Sequence, residues 1–310
     1  MEKVLITGGA GFIGSHTTDL LLSQGIPVRI LDNLSSGHRE NLPESHPLLD
    51  FIEGDITDSS SVNEAMKGIS HCLNLAAQVS VVASLEDPEF SAMQNIIGFV
   101  NVLEAAHRNK VEKLIYASSA AIYGEPSEIP LTESASKAQL SPYGLEKQVN
   151  EEYADMYSRL YGLKSLGQRY FNVYGPRQDP KSPYAGVIAL FVDRITQGEA
   201  VNVFGDGNQT RDFIYVGDVA RANVAALNSD LCGACNIATG VQTTLLDLID
   251  VLSEITGNHC DVTHLPPREG DIVHSLANPQ RMNAELGLKA ETDIRQGLLK
   301  LLEYSDPTHS

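Results

Sequence analysis

The sequence carries little positive charge. Its 310 residues include 22 lysines and arginines against 40 aspartates and glutamates, which gives a formal net charge of −18. Nucleic acids and anionic membranes are bound through clustered lysines and arginines, so this excess of acid argues against both as partners. A small molecule that bears phosphate stays open, because one or two arginines and a helix N-terminus are enough to bind it.

Long apolar runs and a dense set of cysteines are also missing. No apolar stretch approaches the roughly 18 residues of a membrane span, and residues 3–6 read directly as a strand without a secretion signal before them. Four cysteines, at positions 72, 232, 235 and 260, are too few for a disulfide framework, and the single C-x-x-C pair lacks the second pair of a zinc site. We therefore expect buried, reduced thiols, no metal and a cytoplasmic location.

Short apolar runs alternate with helical patterns over the first 170 residues. Strands are predicted at 3–7, 28–31, 50–53, 71–75, 113–118 and 164–170, and helices near 12–24, 59–66, 88–109 and 142–161. This alternation predicts an α/β fold of the Rossmann type, a doubly wound parallel sheet covered by helices on both faces.

The regular alternation of strand and helix patterns ends after about residue 172. A proline-rich loop is followed by predicted helices at 186–197, 217–228 and 243–256, with short strands at 201–204 and 235–237. We predict a dinucleotide-binding domain at 1–171 and a smaller α/β substrate lobe at 172–310, with segments that cross between them. The lobe is expected at the carboxyl edge of the sheet, where ligands bind in such folds.

A glycine fingerprint follows the first strand and opens the first helix. Gly8, Gly11 and Gly14 permit a tight turn and close approach to a pyrophosphate, with Phe12 and Ile13 between them. Asp32 ends the second strand, where a carboxylate accepts bonds from both adenosine ribose hydroxyls and repels a 2′-phosphate. NAD is therefore favoured over NADP, although Arg39 nearby argues the other way. A glycine turn without a nucleotide is the alternative.

Further cofactor contacts are predicted where later strands end. These residues are Asn33 beside Asp32, Asp55 and Ile56 towards the adenine, Leu75, Ala76 and Ala77 along the sheet edge, Asn95 in the long helix, and Phe171. Asn95 reads equally well as an ordinary polar residue of a helix.

Tyr143 and Lys147 form the most informative pair in the chain. Four residues apart on a helix, they share one face. An ammonium beside a phenol favours the phenolate, so this tyrosine can exchange a proton near neutral pH. Together with the dinucleotide fingerprint, the pair indicates hydride chemistry at a nicotinamide ring.

Four motifs together carry a family resemblance. They are Thr7-Gly8-x-x-Gly11-x-x-Gly14, Ser118-Ser119 with Tyr123, Tyr143-x-x-x-Lys147, and the run from Arg169 to Arg177. The chain resembles the extended short-chain dehydrogenase/reductase family of NAD-dependent epimerases and dehydratases, and within it the nucleotide-sugar 4-epimerases. The resemblance extends from residue 3 to about residue 300.

The resemblance implies a role for each catalytic residue. Tyr143 is the acid and base, Lys147 holds the nicotinamide ribose, and Ser119 bonds the reacting sugar oxygen, while Ser118 lies towards the nicotinamide. Oxidation at the sugar C4 gives a 4-keto sugar, which turns over and is reduced on its other face, so tightly bound NAD is regenerated. We expect the nicotinamide charge and Lys147 to lower the pKa of Tyr143.

Two other reactions of the same fold are alternatives. Sugar 4,6-dehydratases resemble this site but carry an acidic pair directly after the serine, where this chain has Ala120-Ala121; alanine transfers no protons. A net oxidoreductase needs the same hydride apparatus, so the sequence leaves it open.

The resemblance also implies the contacts to a UDP-sugar. The expected residues are Ser119, Tyr143, Asn172, Val187, Asn202, Phe204 stacked on uracil, the diphosphate-binding Arg211 and Arg268, Asp271, and Ser275. A small residue at Ser275 leaves room for a 2-acetamido group. UDP-N-acetylglucosamine and UDP-N-acetylgalactosamine are therefore the expected sugars, with UDP-glucose and UDP-galactose as possible further substrates.

The two long helices carry apolar residues beyond one narrow stripe. We expect a homodimer in which Phe99, Val102, Leu103, Tyr153 and Tyr157 pair with a second copy in a four-helix interface. The alternative is that these five residues belong to the core of one chain.

Overall fold

The structure is a computed structural model that describes residues 1–179, 186–267 and 272–305. Its strands are β1 (Val4–Thr7), β2 (Val28–Asp32), β3 (Leu49–Glu53), β4 (His71–Asn74), β5 (Lys113–Ser119), β6 (Ser165–Tyr170), β7 (Asn172–Tyr174), β8 (Val201–Phe204), β9 (Thr210–Arg211), β10 (Phe213–Tyr215), β11 (Gly233–Ile237), β12 (Thr243–Thr244) and β13 (Val262–Leu265). Its helices are α1 (Phe12–Ser23), α2 (Ser59–Met66), α3 (Val81–Glu86), α4 (Pro88–Ala92), α5 (Gly98–Arg108), α6 (Pro142–Tyr161), α7 (Val187–Thr196), α8 (Val216–Leu227), α9 (Leu245–Thr256), α10 (Gln280–Glu285) and α11 (Ile294–Ser305).

Seven parallel strands form the main sheet, in the order β11-β6-β5-β4-β1-β2-β3. The predicted Rossmann-type sheet is therefore confirmed. The chain reverses its direction of winding between β1 and β4, so their carboxyl ends border the crevice in which such sheets bind ligands. β11 pairs with β6, which places residues 233–237 in the cofactor sheet although they lie beyond the predicted division at residue 171; that division stays a prediction.

The central strand β1 is buried on both faces of the sheet and is apolar except for Thr7. In β1, Val4 and Ile6 face the core formed with α1 and α8, whereas Leu5 faces the core formed with α2, α5 and α6. This alternation follows from the two-residue period of a strand. A third core, between α7, α9 and α11, holds the smaller lobe together.

Local signals set the helix ends that matter for the site. α6 begins after Ser141, whose hydroxyl accepts a bond from the backbone N–H of Gly144, and Pro142 occupies its first turn. It ends at Gly162, which adopts a left-handed conformation that glycine tolerates best. α4 and α5 are joined by a wider π-type turn at Met93–Ile97, so residues 88–108 run as one interrupted helix.

The five residues expected at a dimer interface pack inside the chain instead. Phe99, Val102, Leu103 and Tyr157 are buried in the core on the α5 and α6 side of the sheet, and Tyr153 packs against it. The prediction that these five residues form a dimer interface was therefore wrong. As the alternative held, they belong to the core of one chain, with Tyr153 at its margin. The stripe points at the sheet because two neighbouring long helices need apolar faces simply to cover it.

All four cysteines are unpaired, and only Cys232 is exposed. Within residues 1–179, 186–267 and 272–305, no group of histidine, cysteine or acidic side chains is arranged to hold a metal ion. No helix in the described part is both long and apolar enough to cross a membrane.

Candidate active site

The glycine turn after β1 is built by close packing. A Cβ on Gly14 would lie 2.2 Å from the carbonyl oxygen of Gly8, and a Cβ on Gly8, which has a φ of +71°, would lie 2.7 Å from the backbone nitrogen of Ala76. Gly11 is different, because the nearest atom to its added Cβ is 3.2 Å away and belongs to the same turn. Gly11 also caps α1 without a side-chain bond. No side chain occupies the N–H groups of this helix end, which leaves them to a pyrophosphate.

Asp32 ends β2 beside this turn. One carboxylate oxygen accepts from the backbone N–H of Ala10 at 2.9 Å, and the other accepts from that of Leu34 at 2.9 Å. Each oxygen has a second acceptor site left for a ribose hydroxyl. Arg39 does not approach Asp32 with its guanidinium, which lies 5.0 Å from the ring centre of Phe51. This geometry fits NAD better than NADP.

The other residues expected around the cofactor line the same edge. Asn33 donates to Asp55 at 2.7 Å, and Ile56 is 4% exposed. Beyond β4, the partly exposed Leu75, Ala76 and Ala77 follow the sheet edge. Phe171 packs in a small core with Ile122 and Tyr123. These residues and the glycine turn fit a dinucleotide lying across the carboxyl ends of the strands.

Ser119 and Tyr143 come close together because α6 starts against the turn that follows β5. A Cβ on Gly144 would lie only 2.7 Å from the carbonyl oxygen of Ala121, so glycine permits this contact. Ser119 ends β5, and its hydroxyl accepts from the backbone N–H of Ala121 at 3.1 Å. The phenol of Tyr143 lies close enough to the hydroxyl of Ser119 for this hydroxyl to lower the pKa of Tyr143. The structure thus brings these two side chains together.

Lys147 lies one turn further along α6 and is 2% exposed. Its ammonium donates to the carbonyl of Ala117 at 3.0 Å and lies 5.6 Å from the ring centre of Tyr143. The carbonyl bond orients the ammonium towards the end of β5, so Ser119, Tyr143 and Lys147 form one compact group at the carboxyl edge.

The pKa of Tyr143 differs from the expectation. Burial raises it, the hydrogen bond from Ser119 lowers it, and the charge of Glu146 raises it, with a net upward direction. Burial lowers the pKa of Lys147 to about 8, against an opposing effect of Glu146. Lys147 is not among the causes that lower the pKa of Tyr143 in the chain alone. The positive ring of a bound oxidised cofactor would lower it.

The side chain of Ser118 faces away from Ser119, Tyr143 and Lys147. Its hydroxyl donates to Glu151 at 2.7 Å, and Glu151 accepts two further bonds from Arg169, at 2.8 and 2.7 Å. Lys137 completes this ion cluster. Strand alternation explains the difference, since successive residues of β5 point to opposite faces. Only the backbone of Ser118 is left for the nicotinamide side.

Asn95 is 2% exposed and lies in the π-type turn. Its amide oxygen accepts from the backbone N–H of Gln78 at 2.9 Å, and its amide nitrogen donates to the carbonyl of Gln78 at 2.9 Å and to Glu146 at 2.6 Å. Ser91 also donates to Glu146, at 2.8 Å. Glu146 was missed by the sequence analysis, because its only signal is a charge beside Lys147, and nothing in the sequence shows that it is buried.

The other residues expected to contact the sugar nucleotide lie in the part of the chain after residue 171. Asn172 donates from its side chain to the carbonyl of Asp212 at 3.2 Å, and Arg211 donates to the carbonyl of Thr210 at 2.9 Å. Ser275 is 7% exposed, and its backbone N–H donates to the carbonyl of Thr210 at 3.1 Å. Val187 begins α7, whereas Asn202 and Phe204 lie in β8. Arg268 and Asp271 lie outside the described residues.

Asp212, which the sequence analysis also missed, connects the segments of this region through hydrogen bonds. Its buried carboxylate accepts bonds from the backbone N–H groups of Thr239, Gly240 and Ala277, at 2.9, 2.9 and 3.3 Å. Burial raises its pKa, against these hydrogen bonds. The segment that carries Ser275 is thus held against the strand that carries Arg211.

Comparison with known proteins agrees with the geometry of this site. The model of the "NAD dependent epimerase/dehydratase family" matches residues 4–238. A putative UDP-glucose 4-epimerase of Methanocaldococcus jannaschii is 40% identical over 305 residues, with 97% of each chain covered.

Two solved structures extend the likeness to the whole fold. UDP-glucose 4-epimerase of Thermotoga maritima, solved with UDP-glucose, superimposes with a TM-score of 0.94 at 40% identity, covering 99% of this chain and 100% of that one. UDP-N-acetylglucosamine 4-epimerase of Methanobrevibacter ruminantium, solved with UDP-N-acetylmuramic acid, gives a TM-score of 0.93 at 38% identity, covering 97% and 98%.

Proposed function

This chain belongs to the NAD dependent epimerase/dehydratase family, with NAD as its cofactor, and from that premise we propose that it is a UDP-sugar 4-epimerase. The observation that carries the proposal is the compact group of Ser119, Tyr143 and Lys147 at the carboxyl edge of the sheet, beside a glycine turn with free N–H groups. Relatives named as UDP-glucose and UDP-N-acetylglucosamine 4-epimerases support the reaction class.

Tyr143 and Ser119 handle the proton of the sugar. Ser119 holds the C4 hydroxyl by a hydrogen bond, and Tyr143 as phenolate takes its proton, so the C4–H electron pair can leave as hydride and a 4-keto sugar results. When bound, NAD would supply the acceptor for this hydride and the donor for its return to the other face of the sugar. Tyr143 then gives the proton back, so no net proton or electron is consumed. Lys147 as ammonium holds the ribose and favours the phenolate.

The side chains also define which residues would hold NAD. The free N–H groups after Gly11 would bind the pyrophosphate, and Asp32 the adenosine ribose hydroxyls. Asp55 and Ile56 would lie towards the adenine, while Leu75, Ala76 and Ala77 with Phe171 would line the path to the nicotinamide.

We propose 2-acetamido sugars as the preferred substrates. Ser275 is a small residue buried in a segment held against Arg211 through Thr210 and Asp212, a position suited to leaving space beside a bound sugar. UDP-N-acetylglucosamine and UDP-N-acetylgalactosamine would use this space, and UDP-glucose and UDP-galactose would leave it partly empty. The ratio of kcat/KM for the two sugar pairs, in the wild type and in Ser275→Tyr, tests this. An unchanged ratio in the variant would remove Ser275 from the argument.

The reaction itself is tested without added cofactor. Purified protein is incubated with UDP-N-acetylglucosamine or UDP-glucose, and proton NMR follows the C4 epimer. We expect product from at least one sugar without net absorbance change at the nicotinamide band. Tyr143→Phe should abolish turnover while sugar-nucleotide binding, measured by calorimetry, persists. Formation of a reduced cofactor in proportion to product would favour a net oxidoreductase instead.

We further propose a homodimer built on a different surface from the one first expected. Phe90, Met93 and Ile97 are 52%, 46% and 44% exposed, and their spacing makes one stripe on the helix of residues 88–108. Leu145 on the adjacent α6 is 52% exposed. A second copy offers the same apolar stripe across a two-fold axis. Light scattering should show a dimer that Met93→Asp dissociates and that Val241→Asp, at an exposed site in the small lobe, leaves intact; a monomeric wild type refutes it.

The cytoplasmic location stays a prediction. The four unpaired cysteines are what a reducing compartment allows.

A further inference from the structure

Glu146 is a buried acid within the catalytic helix that the reaction itself does not use. It is 3% exposed and lies between Tyr143 and Lys147 in the sequence. Its bonds come from the uncharged side chains of Ser91 and Asn95 on the neighbouring helix. Glu151, the next buried acid on α6, is instead paired with Arg169 and Lys137. A buried carboxylate is costly unless it is bonded and its charge is offset, so its retention calls for a specific role.

The contacts of Glu146 lead directly to the cofactor edge. Its carboxylate holds the amide of Asn95, and the same amide brackets both the N–H and the carbonyl of Gln78. Gln78 is the residue after Ala77, where the chain leaves the sheet edge that NAD would follow. A second link exists on the same side, because the backbone N–H of Tyr143 donates to the hydroxyl of Ser84 at 3.2 Å.

We propose that Glu146 is a positioning residue with two tasks: it anchors the loop at Gln78 to the catalytic helix through Asn95, and it is the buried counter-charge of Lys147. The inference rests on the roles proposed above for Tyr143 and Lys147.

The electrostatics agree with the second task. Glu146 acts to raise the pKa of Lys147, which burial lowers to about 8, so its charge keeps the ammonium protonated near neutral pH. It also acts to raise the pKa of Tyr143. In the described structure the side chains that bond Glu146 from the neighbouring helix, Ser91 and Asn95, are uncharged, as are the Ala117 carbonyl at Lys147 and the Ser119 hydroxyl near Tyr143. Removing the charge of Glu146 should therefore lower both pKa values together.

The charge is tested with Glu146→Gln. Activity requires Tyr143 as phenolate and Lys147 as ammonium, which gives a bell-shaped profile of kcat/KM against pH. We expect both limbs to move to lower pH in Glu146→Gln. Glu152→Gln removes the same charge from an exposed site on the same helix and should leave the profile in place. A loss of packing alone would lower the rate without moving the limbs, so unmoved limbs overturn the counter-charge role.

The anchor is tested with Glu146→Ala on the protein without substrate. Hydrogen exchange at the amide of Gln78, which donates to Asn95, should become about tenfold faster, the effect of losing one supporting hydrogen bond. Exchange as slow as in the wild type and in Glu152→Ala overturns the anchor role. If Tyr143→Phe stays active, the proposed function and this inference both fail; if it is inactive while both Glu146 variants behave as wild type, only this inference fails.

Discussion

Replacing Gly144 by alanine should lower kcat about tenfold without unfolding the protein. The new Cβ would lie 2.7 Å from the carbonyl oxygen of Ala121, whereas carbon and oxygen atoms in such contacts stay about 3.3 Å apart. The start of α6 and the turn after β5 must therefore separate by about 0.6 Å. Tyr143 lies on one side of this contact and Ser119 on the other, so these two side chains move apart.

The size of the effect follows from this displacement. A misplacement of about 1 Å in an active site can cost about a hundredfold in rate, so a shift of roughly half that size gives about tenfold. Stability changes little, because alanine gains about 0.5–1 kcal/mol over glycine within a helix and this offsets part of the strain. The KM for the UDP-sugar should hold, since the nucleotide end of the site is untouched.

The assay is steady-state epimerisation followed by NMR, with thermal melting of the same preparations. Gly217→Ala is the matched control, because it also adds a Cβ in the first turn of a helix, but against the side-chain ring of Tyr215 at 2.8 Å instead of a backbone carbonyl. We expect the control to keep kcat within about twofold, which is the scale of small positional changes. A Gly144→Ala enzyme with wild-type kcat would refute the claim that this contact sets the Ser119–Tyr143 geometry.

Three further predictions concern the buried polar groups and the cofactor turn. Arg169→Met should lower Tm by about 10 °C in a thermal melt. Breaking a buried ion pair costs about 3–5 kcal/mol, and each kcal/mol lowers Tm by about 2–4 °C in a protein of this length. A drop in Tm below about 3 °C would contradict this prediction. Glu151, buried but bonded to Arg169, has a pKa below its usual range. Its charge therefore stabilises the fold above its ordinary pKa, and this contribution is lost as pH falls through the lowered pKa. In thermal melts at acid pH, Tm should fall less with decreasing pH in Glu151→Gln than in the wild type. Gly14→Ala, whose Cβ would meet the carbonyl of Gly8 at 2.2 Å, should abolish NAD binding in calorimetry, and undiminished binding would show that the turn can relax.

The main sheet could be predicted because its signals are local. Buried strands such as Val4–Thr7 and helix starts such as Ser141-Pro142 are readable from a few neighbouring residues. The pairing of Gly233–Ile237 with β6 was not readable, since it joins residues more than sixty positions apart and no sequence spacing fixes that neighbour.

The candidate site could also be predicted only in part. The Tyr143–Lys147 spacing on one helix and the position of Ser119 at a strand end predicted a group that the structure brings together. Tertiary contacts decided the rest: Ser118 points to Glu151 because of strand alternation, and the pKa of Tyr143 depends on burial and on Glu146. Phe99 and Tyr157 looked available for a partner because the sequence shows an apolar face without showing what covers it.

The strand contributed by residues 233–237 has a consequence for dissecting this enzyme. β6 is buried along its whole length, with β5 on one side and β11 on the other. A fragment cut after residue 171 would bare one complete row of β6 peptide groups and invite sheet-to-sheet aggregation. Residues 1–171 are therefore expected not to fold as an autonomous module, and β6 gains its second neighbour only after residues 233–237 have been synthesised.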